Sequence, residues 1–141
     1  MNRKRRTMIL VKGRPQLARE MAQEIIKKYE VKIIEKPHTG LVMVKARESA
    51  FQRLFYLGEM LVTECKVQVE GFLGVGIVQD LKPQLSYDLA VIDGAYNANL
   101  IEINTWTPFL LAEEKEIFSR EAKELESILR TKVDFTTMDQ Q

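Results

Sequence analysis

The strongest constraint on the fold is a change of hydrophobic period, from helical spacing before residue 30 to strict alternation in Met60–Glu70. Alternation with a period of two is typical of a β-strand with one buried face. Glu70-Gly71 then predicts a hairpin tip, and Phe72–Gln79 returns as the next strand. Parallel strands need crossovers of about a dozen residues or more, so this spacing predicts an antiparallel sheet.

Three further short runs extend this sheet, at Val31–Lys36, Leu41–Arg47 and Phe51–Leu57. Pro37-His38-Thr39-Gly40 predicts a turn between the first two runs, and Gly58 ends the third. We therefore expect a central antiparallel sheet of about four to five strands.

Two helices are predicted before the sheet. Arg3–Lys12 has helical composition and is followed by Gly13, a residue typical of the position just after a helix. The next segment, from Pro15 to Tyr29, opens with a proline suited to a first helical position. Its apolar residues recur at a spacing of four, which indicates an amphipathic helix.

Two more helices are predicted after the sheet. The first starts at Pro83 and ends near Asn97, and Leu100–Trp106 is expected to be an extended link. Thr107-Pro108 has the residue types of a helix start and predicts a long helix to about Arg130. The remaining tail, Thr131–Gln141, is expected to be irregular. The layout is α+β, with residues 1–141 forming a single domain.

Charge is nearly balanced over the 141 residues, with a formal net charge of +1, but it is unevenly distributed. Residues 1–19 hold seven Lys and Arg and no acid, so the remaining 122 residues carry 14 − 20 = −6. Such a basic segment could bind phosphate on a nucleotide or a nucleic acid. We favour a solvated helix face that docks on an acidic partner or on the chain's own acidic helix, because aromatic residues are not interleaved in it.

The apolar runs, such as Phe72–Val78, are far shorter than the ~20 residues that a membrane helix requires. The basic start resembles a signal peptide, but Met8–Val11 is too short for its apolar region. We expect a cytoplasmic protein.

The sequence has one cysteine, Cys65, and one histidine, His38. A single cysteine excludes an internal disulfide. A zinc or iron–sulfur site of Cys and His ligands needs about four of them, so this chain alone cannot form one. His38 lies in the predicted turn with no orienting partner nearby, so an exposed histidine is favoured over a general base. Cys65 shares a strand face with apolar residues and is interpreted as a small buried hydrophobe rather than a nucleophile.

The glycines at 71, 74 and 76 have an order opposite to that of the dinucleotide-binding fingerprint, and no helix follows at once. Gly74 and Gly76 share a strand face, which indicates the close approach of a helix or of a partner's backbone.

The carboxylates offer no convincing acid–base pair. Glu59 and Glu64 point to opposite faces of an extended chain. Asp88 and Asp93 lie about 140° apart around a helix. Asp93 follows an apolar run and requires a partner, and we favour a partly exposed or salt-bridged group over a catalytic one. The sequence therefore predicts no catalytic residue and no metal ligand in this chain.

Several segments together resemble the PhnG family, a subunit of the bacterial carbon–phosphorus lyase system. They occur in matching order between about residues 15 and 139. The segments are residues 39–47, residues 55–67, the glycine strand ending at Asp80, Ala90–Asp93 and Lys132–Met138. The family's terminal pattern resembles V-D-F-F-T-M, from which Thr136 departs.

This resemblance implies a required but non-catalytic subunit that works with PhnH, PhnI, PhnJ and the ABC-type PhnL. The complex would transfer an alkylphosphonate to the ribose C1 of MgATP and release adenine. The iron–sulfur cluster and S-adenosylmethionine of a later step would belong to PhnJ, so no cofactor is expected here. The alternative is a small anion- or nucleic-acid-binding module that uses the basic first helix. Whether the isolated chain self-associates stays open.

A partner interface is expected at both ends of the chain. Val133, Phe135 and Met138 are apolar residues beyond the last residues with helical spacing. Apolar residues at a terminus usually pack against another surface. They dock either on this chain's sheet or on a partner, and the resemblance favours the partner. The basic residues expected to contribute are Arg3, Lys4, Arg5 and Arg6.

Overall fold

The computed structural model describes the backbone of residues 1–47 and 54–139 and the side chains of residues 1–45 and 57–131. Its elements, in chain order, are α1 (Arg3–Lys12), α2 (Pro15–Lys28), β1 (Val31–Arg47), β2 (Leu54–Val69), β3 (Phe72–Gln79), α3 (Pro83–Asn97) and α4 (Glu102–Asp139). The α+β class is confirmed, with two helices before the sheet and two after it. In the described residues, the sheet has three antiparallel strands in the order β1-β2-β3, so the expectation of four to five strands is wrong.

The sheet has fewer strands because β1 runs without a turn through Pro37–Gly40. Thr39 and Gly40 pair with β2, and shifts of register on both sides of Glu35 absorb the extra residues around Pro37. A proline is tolerated there because β1 is an edge strand, where a bulge and a missing outward N–H break few ladder hydrogen bonds. The predicted turn is therefore wrong.

The last part of the predicted third strand likewise belongs to β2, which continues through Gly58 where it pairs with Val44. Residues 51–53 of that prediction lie outside the described residues. The hairpin tip is confirmed, since Glu70 and Gly71 have φ angles of +50° and +85°. Positive φ at both central residues is the geometry of the tight turns that join twisted strands.

α3 lies against one face of the sheet, and the two strand glycines allow it to do so. A Cβ atom added at Gly76 would lie 2.0 Å from the Ser86 carbonyl oxygen, and one at Gly74 would lie 2.1 Å from that of Ala90. The predicted close approach of a helix is thus confirmed. Apolar residues of β2 and α3 meet there and join α1, α2 and the start of α4 in one core.

α4 begins at Glu102 and contains Pro108, so the predicted link at Leu100–Trp106 and the predicted start at Thr107 are wrong. Trp106 and Leu110, one helical turn apart, are both buried, and the Trp106 indole N–H donates to Glu24 of α2 at 3.0 Å. This packing stabilises a helix that continues past Pro108, although the local sequence predicts that a helix begins there. The helix continues to Asp139, so the backbone of the predicted irregular tail is helical as far as it is described. Among the described helices, none is both long and apolar enough to cross a membrane.

Candidate functional site

His38 is exposed, as predicted, but it lies in a strand rather than in a turn. Its Nδ1 atom is 2.9 Å from the Lys36 carbonyl oxygen, and its Nε2 atom is 3.9 Å from carboxylate oxygens of Glu35 and Glu64. The side chain of His38 is about half exposed, at 48%. The histidine is therefore a member of an exposed charged group on the open face of the sheet.

Cys65 is fully buried on the face that α3 covers. Burial, with a smaller contribution from the charge of Glu35, raises the pKa of the thiol to about 11. A nucleophilic cysteine needs a low pKa and access, and Cys65 has neither. The interpretation as a small buried hydrophobe is confirmed.

Asp93 is the centre of a buried polar cluster between α1, α3 and β3. Its carboxylate accepts hydrogen bonds from Arg6 at 2.7 Å, from Arg3 at 3.2 Å and from the Val75 main-chain N–H at 3.0 Å. The Arg6 guanidinium also lies over the ring of Tyr96, 4.1 Å from its centroid. The expected salt-bridged aspartate is confirmed, and its contacts are those of a structural group that fixes α1 to the sheet.

The basic segment at residues 1–19 largely neutralises acids of the chain itself. Six of its seven cations have a carboxylate within 4 Å. The pairs are Arg3–Asp93, Arg5–Glu114, Arg6–Asp93, Lys12–Glu121, Arg14–Glu113 and Arg19–Asp88. Three of these acids lie on α4, so the interpretation of a face that docks on the chain's own acidic helix is confirmed.

The four basic residues of the expected partner interface differ in exposure. The Arg6 side chain is only 6% exposed, whereas those of Arg3 and Arg5 are 62% and 46% exposed. Lys4 is also exposed. An interface role for these residues stays a prediction, and Arg6 has little surface to contribute to it.

The sequence raises Asp88 only as a possible acid–base partner of Asp93, and it does not predict that Asp88 lines a groove. The groove has a volume of about 620 Å³ and lies between the α1–α2 connection and the start of α3. Asp88 is buried in its wall, and burial raises the pKa of its carboxyl despite a hydrogen bond from Gln84 at 2.9 Å. The described side chains include no group of three or more Cys, His, Asp or Glu residues that could hold a metal ion.

A two-stranded ribbon extends beyond the helix-covered part of the described sheet, and we define it as residues 39–47 of β1 and 54–61 of β2. Beyond the pair formed by Val62 and Gln79, β3 no longer accompanies β2. Large apolar side chains of the ribbon are exposed: Leu41 by 65%, Val42 by 44%, Met43 by 56%, Leu57 by 58% and Leu61 by 41%. Adjacent strand residues point to opposite faces, so both faces of the ribbon are apolar. Such a ribbon is only marginally stable in water by itself.

A second apolar surface, which we call the helix stripe, lies on α4 between Phe118 and Leu129. Phe118, Leu125, Ile128 and Leu129 are exposed by 53%, 57%, 63% and 51%. At 100° per residue, these four positions share one side of the helix. Helical spacing of Phe118, Leu125 and Leu129 is visible in the sequence, but their exposure is not. Val133, Phe135 and Met138 continue α4 in backbone terms, and their side chains lie outside the described ones.

The fold thus combines a compact helix-covered sheet with a ribbon and a helix whose apolar residues lack a cover in the described part of the chain. Comparison with protein-family models assigns it to the proteins of phosphonate metabolism. The matching model, "Phosphonate metabolism protein PhnG", covers residues 1–140, and the chain therefore belongs to the PhnG family. A search of curated proteins found no match.

Proposed function

We propose that this chain is a required, non-catalytic subunit of the carbon–phosphorus lyase core complex. In that role it supports transfer of an alkylphosphonate to the ribose C1 of MgATP, with release of adenine. Membership of the PhnG family supports the link to phosphonate metabolism. The observation that carries the subunit role is the exposure of the ribbon and the helix stripe, because monomeric proteins rarely expose large contiguous apolar patches.

The proposed partners are PhnH, PhnI and PhnJ, with PhnL homologues as a further candidate, in the cytoplasm. The chain holds no cofactor of its own in this proposal. MgATP is a substrate of the complex, and the iron–sulfur cluster and S-adenosylmethionine belong to PhnJ. The cysteine count supports this division, because an iron–sulfur cluster is held by about four Cys thiolates and this sequence has one cysteine, Cys65.

The alternative, an anion- or nucleic-acid-binding module, has less support. Binding to a nucleic acid relies on Lys and Arg side chains that neutralise phosphates and so displace counterions from the nucleic acid. Six of the seven cations of residues 1–19 already have carboxylate partners within the chain. A steep salt dependence of binding to a nucleic acid would favour the alternative.

The subunit role is tested by co-expression with PhnH, PhnI and PhnJ, followed by size-exclusion chromatography and an assay of adenine release. Leu125→Asp, in the helix stripe, is expected to weaken assembly at least tenfold. Ser127→Asp is the matched control, because it adds the same charge two residues away on the opposite side of the helix and should leave assembly unchanged. Equal effects of the two variants would contradict docking through the stripe.

The terminal residues allow a second test. Deletion of residues 133–141 is expected to leave the melting temperature of the isolated chain nearly unchanged and to weaken assembly. Phe135→Ala alone is expected to cost about 2 kcal/mol or more in association, as for an interface hot spot. A truncated chain that melts much lower yet assembles normally would assign the tail to the chain's own fold. Adenine release by the isolated chain would overturn the non-catalytic role.

A further inference from the structure

The two outer edges of the sheet differ. At Leu73 and Val75 the edge of β3 is occupied by side chains of α3, since the Val75 N–H donates to Asp93 at 3.0 Å and the Leu73 carbonyl accepts from the Asn97 side chain at 2.7 Å. Such contacts prevent the pairing of another strand. β1 forms the other edge and pairs only with β2 in the described sheet.

The direction of the main-chain groups of β1 follows from one hydrogen bond. The Asp80 N–H donates to the Leu61 carbonyl at 2.8 Å, so the polar main-chain groups of Leu61 face away from β1. Leu41 lies opposite Leu61, and in such a non-hydrogen-bonded pair its own N–H and C=O also point away from the partner strand. By alternation, Thr39, Leu41 and Met43 direct three N–H and three C=O groups outward.

This edge is regular and accessible. The register between β1 and β2 is continuous from His38 to Val44. A Cβ atom added at Gly40 would meet nothing within 4 Å. The side chains of Leu41 and Met43, exposed by 65% and 56%, stand on one face of the same edge. An added strand would therefore gain both main-chain hydrogen bonds and apolar contacts.

Charge indicates what kind of strand fits. Residues 38–44 contain no Lys, Arg, Asp or Glu, and the whole of residues 36–47 contains Lys36, Lys45 and Arg47 but no acid. Antiparallel pairing of two copies about Leu41 would place Lys36 of one copy beside residue 46 of the other, close to Lys45 and Arg47. The same pairing would place Glu35 of one copy opposite Arg47 of the other, but Glu35 already has Lys66 of its own sheet within 3.7 Å. Residues 35–47 of each copy hold three cations and one acid, so the like charges remain in excess, which disfavours a second copy.

We propose that the free edge of β1 at Thr39, Leu41 and Met43 binds an extended segment of another protein, apolar at its centre and acidic at both ends, as an additional strand. The inference rests on the proposed function, because it assigns the segment to one of the other subunits. It deepens that function by naming the backbone groups through which a subunit docks.

Amide hydrogen exchange on the isolated chain and on the assembled complex tests this, read by mass spectrometry with residue-level fragmentation. In the isolated chain, the amides of Thr39, Leu41 and Met43 should exchange fast, whereas those of Gly40 and Val42, which face β2, should be protected. Assembly should slow exchange at the three outward amides at least tenfold. Assembly that leaves them unprotected would overturn this inference and leave the proposed function intact.

Two variants at Leu41 separate edge pairing from contact with the apolar face. Leu41→Pro removes the outward N–H at a position where an edge strand tolerates proline, and Leu41→Ala removes a similar part of the side chain but keeps the N–H. Edge pairing predicts that Leu41→Pro raises the dissociation constant at least tenfold more than Leu41→Ala does. Equal effects of the two variants would contradict it. A dimer of the isolated chain in light scattering, with the same three amides protected, would identify a second copy instead. A chain that joins no assembly would overturn the proposed function and this inference together.

Discussion

Replacement of Asp93 by asparagine is expected to be among the most destabilising conservative changes in this chain. Asp93→Asn keeps the shape of the side chain and an oxygen that can accept the Val75 N–H. It removes the negative charge 2.7 Å from the Arg6 guanidinium. The side chains of Asp93 and Arg6 are only 7% and 6% exposed, so water cannot replace the lost partner.

The size of the effect follows from this burial. Removing one member of a buried ion pair leaves an uncompensated charge and costs about 3–5 kcal/mol. Arg3 offers no relief because it is a second cation bonded to the same carboxylate, at 3.2 Å. For a domain of this size, 1 kcal/mol corresponds to a shift in melting temperature of about 4 °C. Asp93→Asn should therefore lower the melting temperature by about 12–20 °C.

The assay is urea unfolding and thermal melting of the isolated chain, with Glu121→Gln as the control. Glu121 forms an ion pair with Lys12 at 2.9 Å, but the two side chains are 44% and 51% exposed, so this loss should stay within about 1 kcal/mol. The double variant Arg6→Leu/Asp93→Asn removes both charges and should lose less stability than the sum of its single changes. The reasoning is refuted if Asp93→Asn and Glu121→Gln lower stability equally.

Three further changes test other parts of the fold. Gly76→Ala should lower the free energy of unfolding by about 1–3 kcal/mol, because its Cβ would lie 2.0 Å from the Ser86 carbonyl oxygen. Gly40→Ala is the control, since its Cβ would meet nothing within 4 Å and stability should change little. Similar losses in denaturant unfolding of the two variants would contradict the close approach. Tyr96→Phe should leave the melting temperature unchanged or raise it, because the Tyr96 hydroxyl is buried without a hydrogen-bond partner among the described residues. A melting temperature several degrees lower would contradict this. Burial raises the pKa of Asp88, so its folded form binds a proton more readily and the contribution of Asp88 to stability should decline as pH rises above about 4. Relative to the wild type, Asp88→Asn should therefore gain stability as pH rises from about 4 to about 7, and a stability difference between the two proteins that does not change with pH would contradict it.

Part of the polar architecture could be predicted from local sequence. A carboxylate after the apolar run that ends at Ile92 needs a partner, because burying an unpaired charge is costly, and the expectation for Asp93 follows from that alone. Its partners Arg3 and Arg6 lie 90 and 87 residues away in the chain. No local pattern connects such distant residues, so only the packing of α1 against α3 selects them.

The sequence by itself determined the class of secondary structure, the hairpin at Glu70-Gly71 and the glycine face that admits α3, because each depends on the period or the backbone freedom of a few adjacent residues. Tertiary structure alone decided that β1 continues through Pro37 and α4 through Pro108. In both places, pairing or burial contributed by distant residues outweighs a local preference for a break. It also decided that the helix stripe stays exposed. Helical spacing shows which residues share a side, but whether that side is covered depends on what else the chain brings against it.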